Sequence, residues 1–246
     1  MSTGTYTCQE WPLKKLILAK DRTDADVDLD LAATKFLTQQ ILLRRDYQVI
    51  SALFTSGNWT TNATGAASGA DFVHFSSGSS TPFKTVRTYA RTVQKLTDGF
   101  APNTIVAGPE VHDVLCENDD SLDKIKYTQL GVVTNELLAK ALGVKQYLVA
   151  EAVYNSAAAG QTATLANMGG DFLWIGYVSP SPSQFEPSAM YTFSWQDYDA
   201  AGKGGALMKR WVSNDPEGEW IKAEAAFDPK VTAAGAGCLL TNAATG

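Results

Sequence analysis

The sequence predicts an α+β fold, and three observations lead there. Helical patterns dominate between Asp28 and Leu142, strand patterns follow Gly143, and the two never settle into the regular alternation of a doubly wound sheet. Asp215-Pro-Glu-Gly218 is hairpin turn chemistry set between two runs that read as strands. With 246 residues, 45% of them hydrophobic, the chain can bury a sizeable core as one large domain or two interleaved small ones.

Residues 5–19 read as a strand rich in aromatic and branched residues, with Pro12 restricting it to a sheet edge or bulge. An edge strand leaves backbone groups that invite a partner. Asp24, Asp26, Asp28 and Asp30 follow at every second position. A calcium loop would need glycine where Leu29 stands and an acid where Lys35 stands, so these carboxylates read instead as the N-terminal charges of a helix.

That helix spans Asp28 to Phe54, about 40 Å of rise. Its expected apolar stripe is Leu29, Ala33, Phe36, Leu43, Tyr47, Ile50 and Phe54, with Leu42, Val49 and Leu53 adding a second apolar side to the later half. Arg44 and Arg45 flank the stripe in solvated or subunit-contacting positions. Residues 55–80, rich in Gly, Ser, Thr and Asn, read as a long loop interrupted by the apolar DFVHF.

Ser80 or Thr81 can cap the next helix, with Pro82 at its first position, Phe83, Val86, Ala90, Val93 and Leu96 on its apolar face, and Gly99 at its end. Thr104 to Ala107 is a short buried strand, Pro109 opens a short helix, and Thr134 to Leu142 is a third helix closed by Gly143. Expected strands follow at Lys145–Val153, Phe172–Val178, Met190–Trp195, Met208–Ser213, Glu219–Ala226 and Gly237–Leu240.

Charge and motifs exclude more than they suggest. Twenty basic against 26 acidic residues give a formal charge of −6, which disfavours tight binding of phosphate backbones without excluding a protein that surrounds DNA. Cys8, Cys116 and Cys238 form no C-x-x-C pair and read as isolated reduced thiols. The first twenty residues lack the apolar core of a signal peptide, and no stretch is long enough to span a membrane, so a soluble cytoplasmic product is expected. The sequons at Asn58 and Asn62 are then chance matches.

Only His74 and His112 are available as histidine ligands or bases, which excludes a histidine-rich metal site, and both read as structural. No G-x-S-x-G appears, and no G-x-G-x-x-G follows a strand. Gly202-Lys-Gly-Gly205 lacks the rest of a P-loop, and Asp119-Asp120 reads as a solvated turn. No catalytic residue, cofactor or metal is expected.

Several blocks, in order, resemble the major capsid proteins of tailed bacteriophages: TYTCQEWPLKK, the acidic lead into the long helix, ILLRRDYQVISALFTSGNW, STPFKTVR, PNTIVAGPEVHDVL, DKIKYTQLGVVTNELLAKALGV, VAEAVYN and PSAMYTFSW. The resemblance covers nearly the whole chain and implies the Hong Kong 97-type capsid fold, shared by phage capsids and encapsulin shells. It implies residues 1–20 as one arm of the extended E-loop, 21–101 as peripheral domain with its long spine helix, and 102–190 as axial domain. It further implies 191–229 as peripheral strands with the Asp215 hairpin, and 230–246 as a strand returning to the axial domain. Family members carry an N-terminal arm and a first E-loop strand before the position of Tyr6, so the chain is expected either to be truncated or to have a reduced E-loop.

The implied function is a subunit that assembles with itself, as pentamers and hexamers, into an icosahedral virion shell made in the bacterial cytoplasm. The shell would enclose double-stranded DNA without sequence-specific binding, with portal, scaffold or decoration proteins as further partners. Lys14, Lys15, Arg44, Arg45, Asp215 and Glu217 are the candidate interface residues. Covalent crosslinking, known in part of the fold, needs a Lys, an Asn and a carboxylate brought together; Lys14, Lys15 and Lys20 read more simply as solubilising charges on an exposed strand. Two other readings stay open: an encapsulin-type compartment, and an α+β enzyme with a pocket where His112 or Cys116 meets carboxylates.

Overall fold

Helices and strands follow each other in chain order as β1 (Gln9–Leu18), α1 (Ala19–Asp24), α2 (Leu29–Leu53), β2 (Thr61–Ala66), β3 (Phe72–Val73), α3 (Pro82–Leu96), β4 (Thr104–Ala107), α4 (Pro109–Glu117) and α5 (Asn135–Leu142). The remainder is strand: β5 (Gln146–Val149), β6 (Val153–Asn155), β7 (Leu165–Asn167), β8 (Leu173–Gly176), β9 (Met190–Ser194), β10 (Leu207–Asn214), β11 (Glu217–Val231) and β12 (Gly237–Thr241). This computed structural model describes residues 4–68, 70–120, 123, 134–158, 160–183, 185–198 and 206–244. Most of the sequence block 123–133 and the glycine run 202–205 lie outside the described residues. Among the described residues, no helix is long and apolar enough to cross a membrane.

The chain divides into two units, Met1–Val49 with Thr192–Lys230, and Ile50–Tyr191 with Val231–Gly246. In the first, β11 is the central strand. It pairs antiparallel with β1, from Gln9 opposite Phe227 to Leu18 opposite Gly218, and with β10, from Leu207 opposite Glu224 to Asn214 opposite Glu217. Strand β9 also pairs with β11. Alternation along β11 sends Ile221, Ala223, Ala225 and Phe227 to one face, where they share a buried core with Ile17 of β1 and with Ala33, Leu37 and Ile41 of α2. The helix contributes a four-step ridge, and the alanines of β11 let it approach closely.

This ridge corrects the expected stripe. Phe36, placed on it by steps of three and four, is 48% exposed, and its neighbour Leu37 is buried instead. Apolar residues surround α2 on several sides, so periodicity alone does not select the buried ridge; the sheet does. The N-terminus of α2 matches expectation: Asp28 Oδ1 accepts hydrogen bonds from the backbone N–H groups of Asp30 and Leu31, both 3.0 Å. Arg22 of α1 joins Asp30 at 2.6 Å and Glu219 at 2.7 Å. The edge strand expected within residues 5–19 is observed at Gln9–Leu18, paired along its length with β11.

The second unit is built on a six-stranded mixed sheet in the order β3-β2-β12-β8-β4-β5. β12 runs antiparallel to β8, and β8 antiparallel to β4, while β2 with β12 and β4 with β5 are parallel pairs. Strands β4 and β8 are buried on both faces, which is why their sequences run apolar instead of alternating. Phe83, Val86 and Val93 of α3, Val111 and Leu115 of α4 and Leu138 of α5 close on Ile105, Leu173, Ile175 and Leu240 in one core. Helix α3 therefore packs in this unit.

Residues 55–80 are another correction. Thr61–Ala66 is not loop but β2, hydrogen-bonded alongside β12. Its small residues hide it from a pattern search. They are needed, because a Cβ on Gly65 would lie 2.4 Å from the Asn242 carbonyl oxygen and 2.9 Å from the Phe72 ring. The expected strand at 145–153 likewise ends at Val149, and Val153 starts a separate hairpin of β6 with β7. Leu96 is exposed instead of lying on the buried face of α3. Ser80 donates its hydroxyl to the Phe75 carbonyl instead of capping that helix. Helix α5 follows expectation: Thr134 Oγ1 accepts from Leu137 N, and Gly143 ends the helix at φ 79°.

Backbone crosses backbone at the start of α4, where a Cβ on Gly108 would stand 1.9 Å from the Gly170 carbonyl oxygen and 2.6 Å from that of Gly169. Gly108→Ala is expected to cost about 1–3 kcal/mol or more through overpacking. Truncating the buried Ile221 to Ala is expected to cost about 2–5 kcal/mol. Urea unfolding of the two variants checks both figures, and a wild-type midpoint for Gly108→Ala would refute the crossing.

Candidate functional site

The face of the first unit's sheet that points away from α2 gathers charge and aromatic surface. Register sets it: Lys14 of β1 lies opposite Lys222 of β11, which lies opposite Lys209 of β10. The next rung toward the hairpin turn is Leu16, Trp220 and Trp211. Cross-strand partners share a face, so six side chains from three strands form two adjoining rows. Trp211 and Trp220 stack with centroids 6.3 Å apart, and Lys14 Nζ stands 4.5 Å from the Trp220 ring. Glu224 lies between lysines, with Lys209 Nζ at 2.6 Å and Lys222 also in contact. Hydrogen bonds from these two ammonium groups hold its carboxyl below the usual carboxylate range.

The six candidate interface residues do not form one cluster. Lys14 is on this face. Lys15, one residue later, points to the helix side, with its ammonium 5.2 Å from the Phe36 ring. Arg44 is half-buried in its own unit, its guanidinium carbon 4.1 Å from the Trp11 ring and 5.5 Å from the Tyr47 ring. Arg45 Nε stands 4.0 Å from Asp46 Oδ1. Asp215 and Glu217 are exposed at the two-residue turn between β10 and β11. Pattern reading missed Trp211, Trp220, Lys209, Lys222 and Glu224 because they join Lys14 only through pairing across nearly two hundred residues; alternation in MKRWVSN was the available signal.

The second unit also presents apolar surface. In the β6–β7 hairpin, Val153 and Leu165 are exposed, and Leu148 is exposed on the edge strand β5. A two-stranded hairpin is marginal by itself and gains from cover.

Histidine and cysteine meet in the second unit without building a nucleophile. His112 Nδ1 lies 3.2 Å from the Tyr147 hydroxyl, and Cys116 Sγ lies 3.7 Å from His112 Nε2. Burial pushes the Cys116 thiol up, and the charges of Asp113 and Glu117 push it further, which is the reverse of thiolate activation. Burial also raises the Tyr147 phenol. Cys8, Cys116 and Cys238 are free, the last pushed up to about 12 by burial. Among the described residues no group of three His, Cys, Asp or Glu side chains could hold a metal ion.

No family model matches the sequence. The chain is 24% identical over 218 residues to the major capsid protein of Burkholderia phage BcepMu, covering 87% of this chain and 66%, just under two thirds, of that relative. Its fold matches a phage-related protein from Bordetella bronchiseptica with a TM-score of 0.78, at 19% identity, covering 97% of this chain and 77% of that one. It also matches the capsid structure of cyanophage P-SCSP1u with a TM-score of 0.60, at 12% identity, covering 98% and 77%. The fold is thus the Hong Kong 97-type capsid fold. In sequence the chain is similar to a phage major capsid protein.

Glu224→Gln is expected to lower stability by about 1 kcal/mol at neutral pH by removing the charge shared between the two lysines. A carboxylate with a depressed folded pKa stabilises fully above its unfolded pKa and loses that contribution as pH falls through the folded value. Wild-type and variant stabilities should therefore converge in acid. Urea unfolding across a pH series checks this, and a gap that persists at low pH would contradict it.

Proposed function

We propose that the protein is the major capsid subunit of a tailed bacteriophage or prophage, assembling with itself into an icosahedral shell that encloses the double-stranded DNA genome. The observation that carries this reading is the match over 87% of the chain to a phage major capsid protein, joined to a capsid fold over nearly its whole length. Its role is structural, not enzymatic. The virion is its place of action, after synthesis in the host cytoplasm.

On this reading the unit with the long helix and the Asp215 hairpin is the peripheral domain, with residues 1–20 leading in from the E-loop. The unit with the six-stranded sheet is the axial domain, and its exposed β6–β7 hairpin meets neighbours around a pentamer or hexamer centre. Lys14, Lys15, Arg45, Asp215 and Glu217 serve contacts between subunits, while Arg44 acts mainly by bracing Trp11 and Tyr47. An edge position for β1 among the described strands and separate apolar patches suit contacts that are individually modest and add up over many copies. The formal charge of −6 suits a wall that packages DNA without gripping its sequence. Portal, scaffold or decoration proteins complete the set of partners.

Negative-stain microscopy beside a sizing column tests the proposal. Hollow particles, or rings of five or six subunits, are expected from the purified chain near neutral pH. A monodisperse monomer at every concentration reached would sink the shell reading.

A further inference from the structure

Charge is unevenly placed along the chain. Helix α3 carries Lys84, Arg87, Arg91 and Lys95, and no Asp or Glu stands between Asp71 and Asp98, in a chain whose acids outnumber its bases 26 to 20. Steps of three, four and four set these cations on one stripe of the helix. Phe83, Val86 and Val93 bury the opposite side in the core of the second unit, so the stripe points away from it. All four cations are exposed, and none forms an ion pair among the described residues. Asp71 lines a pocket with Lys84, but its carboxylate accepts the Thr64 backbone N–H at 2.9 Å. Lys84 to Lys95 is a row about 16 Å long.

We propose that this stripe binds the phosphate backbone of double-stranded DNA, which makes the α3 side of the second unit the side that meets the genome. This rests on the shell reading and names the surface that reading leaves open. A duplex carries one negative charge per about 1.7 Å of its axis, so a row of this length lies against more phosphates than it has cations and needs no sequence register. A basic stripe along one helix is the electrostatic footprint of such a partner. A protein partner asks for a different surface, with an apolar and aromatic centre from which lysine is depleted. Thr88 and Gln94 are the exposed neighbours of the stripe, and the exposed large apolar residue of this helix, Leu96, stands at its end. The formal charge of −6 keeps the rest of the surface from adhering, so each contact is local and weak and adds up over many copies.

The test titrates the chain, below the concentration at which it associates, into a short fluorescent DNA duplex and reads anisotropy across a salt series. The logarithm of the affinity is expected to fall with the logarithm of salt concentration at a slope of about −3 to −4 for the four cations. Arg87→Gln combined with Arg91→Gln should make that slope about 1.8 shallower, at unchanged melting temperature. Lys35→Gln combined with Lys145→Gln removes the same charge from exposed positions off the stripe and should keep the wild-type slope. A stripe variant with the slope of this control, or a wild-type chain that leaves the duplex unbound at low salt, overturns the proposal. Loss of particles by the stripe variant with duplex binding like the control's would give the stripe to an acidic surface of a second copy, and also overturns it. Should the wild-type chain bind the duplex through the stripe and form no particles, the shell reading fails and the phosphate site stands.

Discussion

The first unit depends on the two-faced alternation of one strand. β11 is flanked by β1, β10 and β9, so its backbone groups are committed on both sides and its register decides what each neighbour presents. Odd positions from Ile221 to Phe227 are apolar and small enough to receive α2. Even positions carry Trp220, Lys222 and Glu224 outward. A slip of one residue would turn Lys222 and Glu224 toward α2 and take Ile221 and Ala223 out of the core. The same constraint that stabilises the unit therefore also sets the row of lysines and tryptophans on its other face.

Close backbone approach organises the second unit in a different way. Gly176 and Gly237 lie where a Cβ would come within 2.2 Å of the Trp174 ring and 2.5 Å of the Trp59 ring, so two tryptophans fill space that larger residues would block. Trp59 also ties the end of α2 to its own unit by donating its indole N–H to the Leu53 carbonyl at 2.7 Å. Small residues here are packing residues, and β2 joins the sheet for the same reason. The apolar payload sits on the opposite side, where three helices close on Leu173 and Ile175.

Much of the fold was legible because its signals are local. Pro82 and Gly99 bracket α3, Thr134 and Gly143 bracket α5, and the apolar runs of β4 and β8 announce strands buried on both faces. Asp28 caps the long helix as its carboxylate run suggested. The misses share a cause. Phe36 and Leu37 are equally apolar, and only the sheet selects between them. Thr61–Ala66 carries no large apolar residue, and its strand state comes from hydrogen bonding to β12.

The sequence by itself determined the α+β class, the positions of the helices and most strands, the absence of common catalytic motifs and the likeness to phage capsid proteins. Those properties follow from caps, turns, periodicity and ordered blocks, which act over short stretches of chain. Tertiary structure decided which ridge of α2 is buried, that Lys14, Lys209 and Lys222 share a face, and that Arg44 is spent on Trp11 and Tyr47. Register between strands some two hundred residues apart fixes these features, and no local window of the chain contains it.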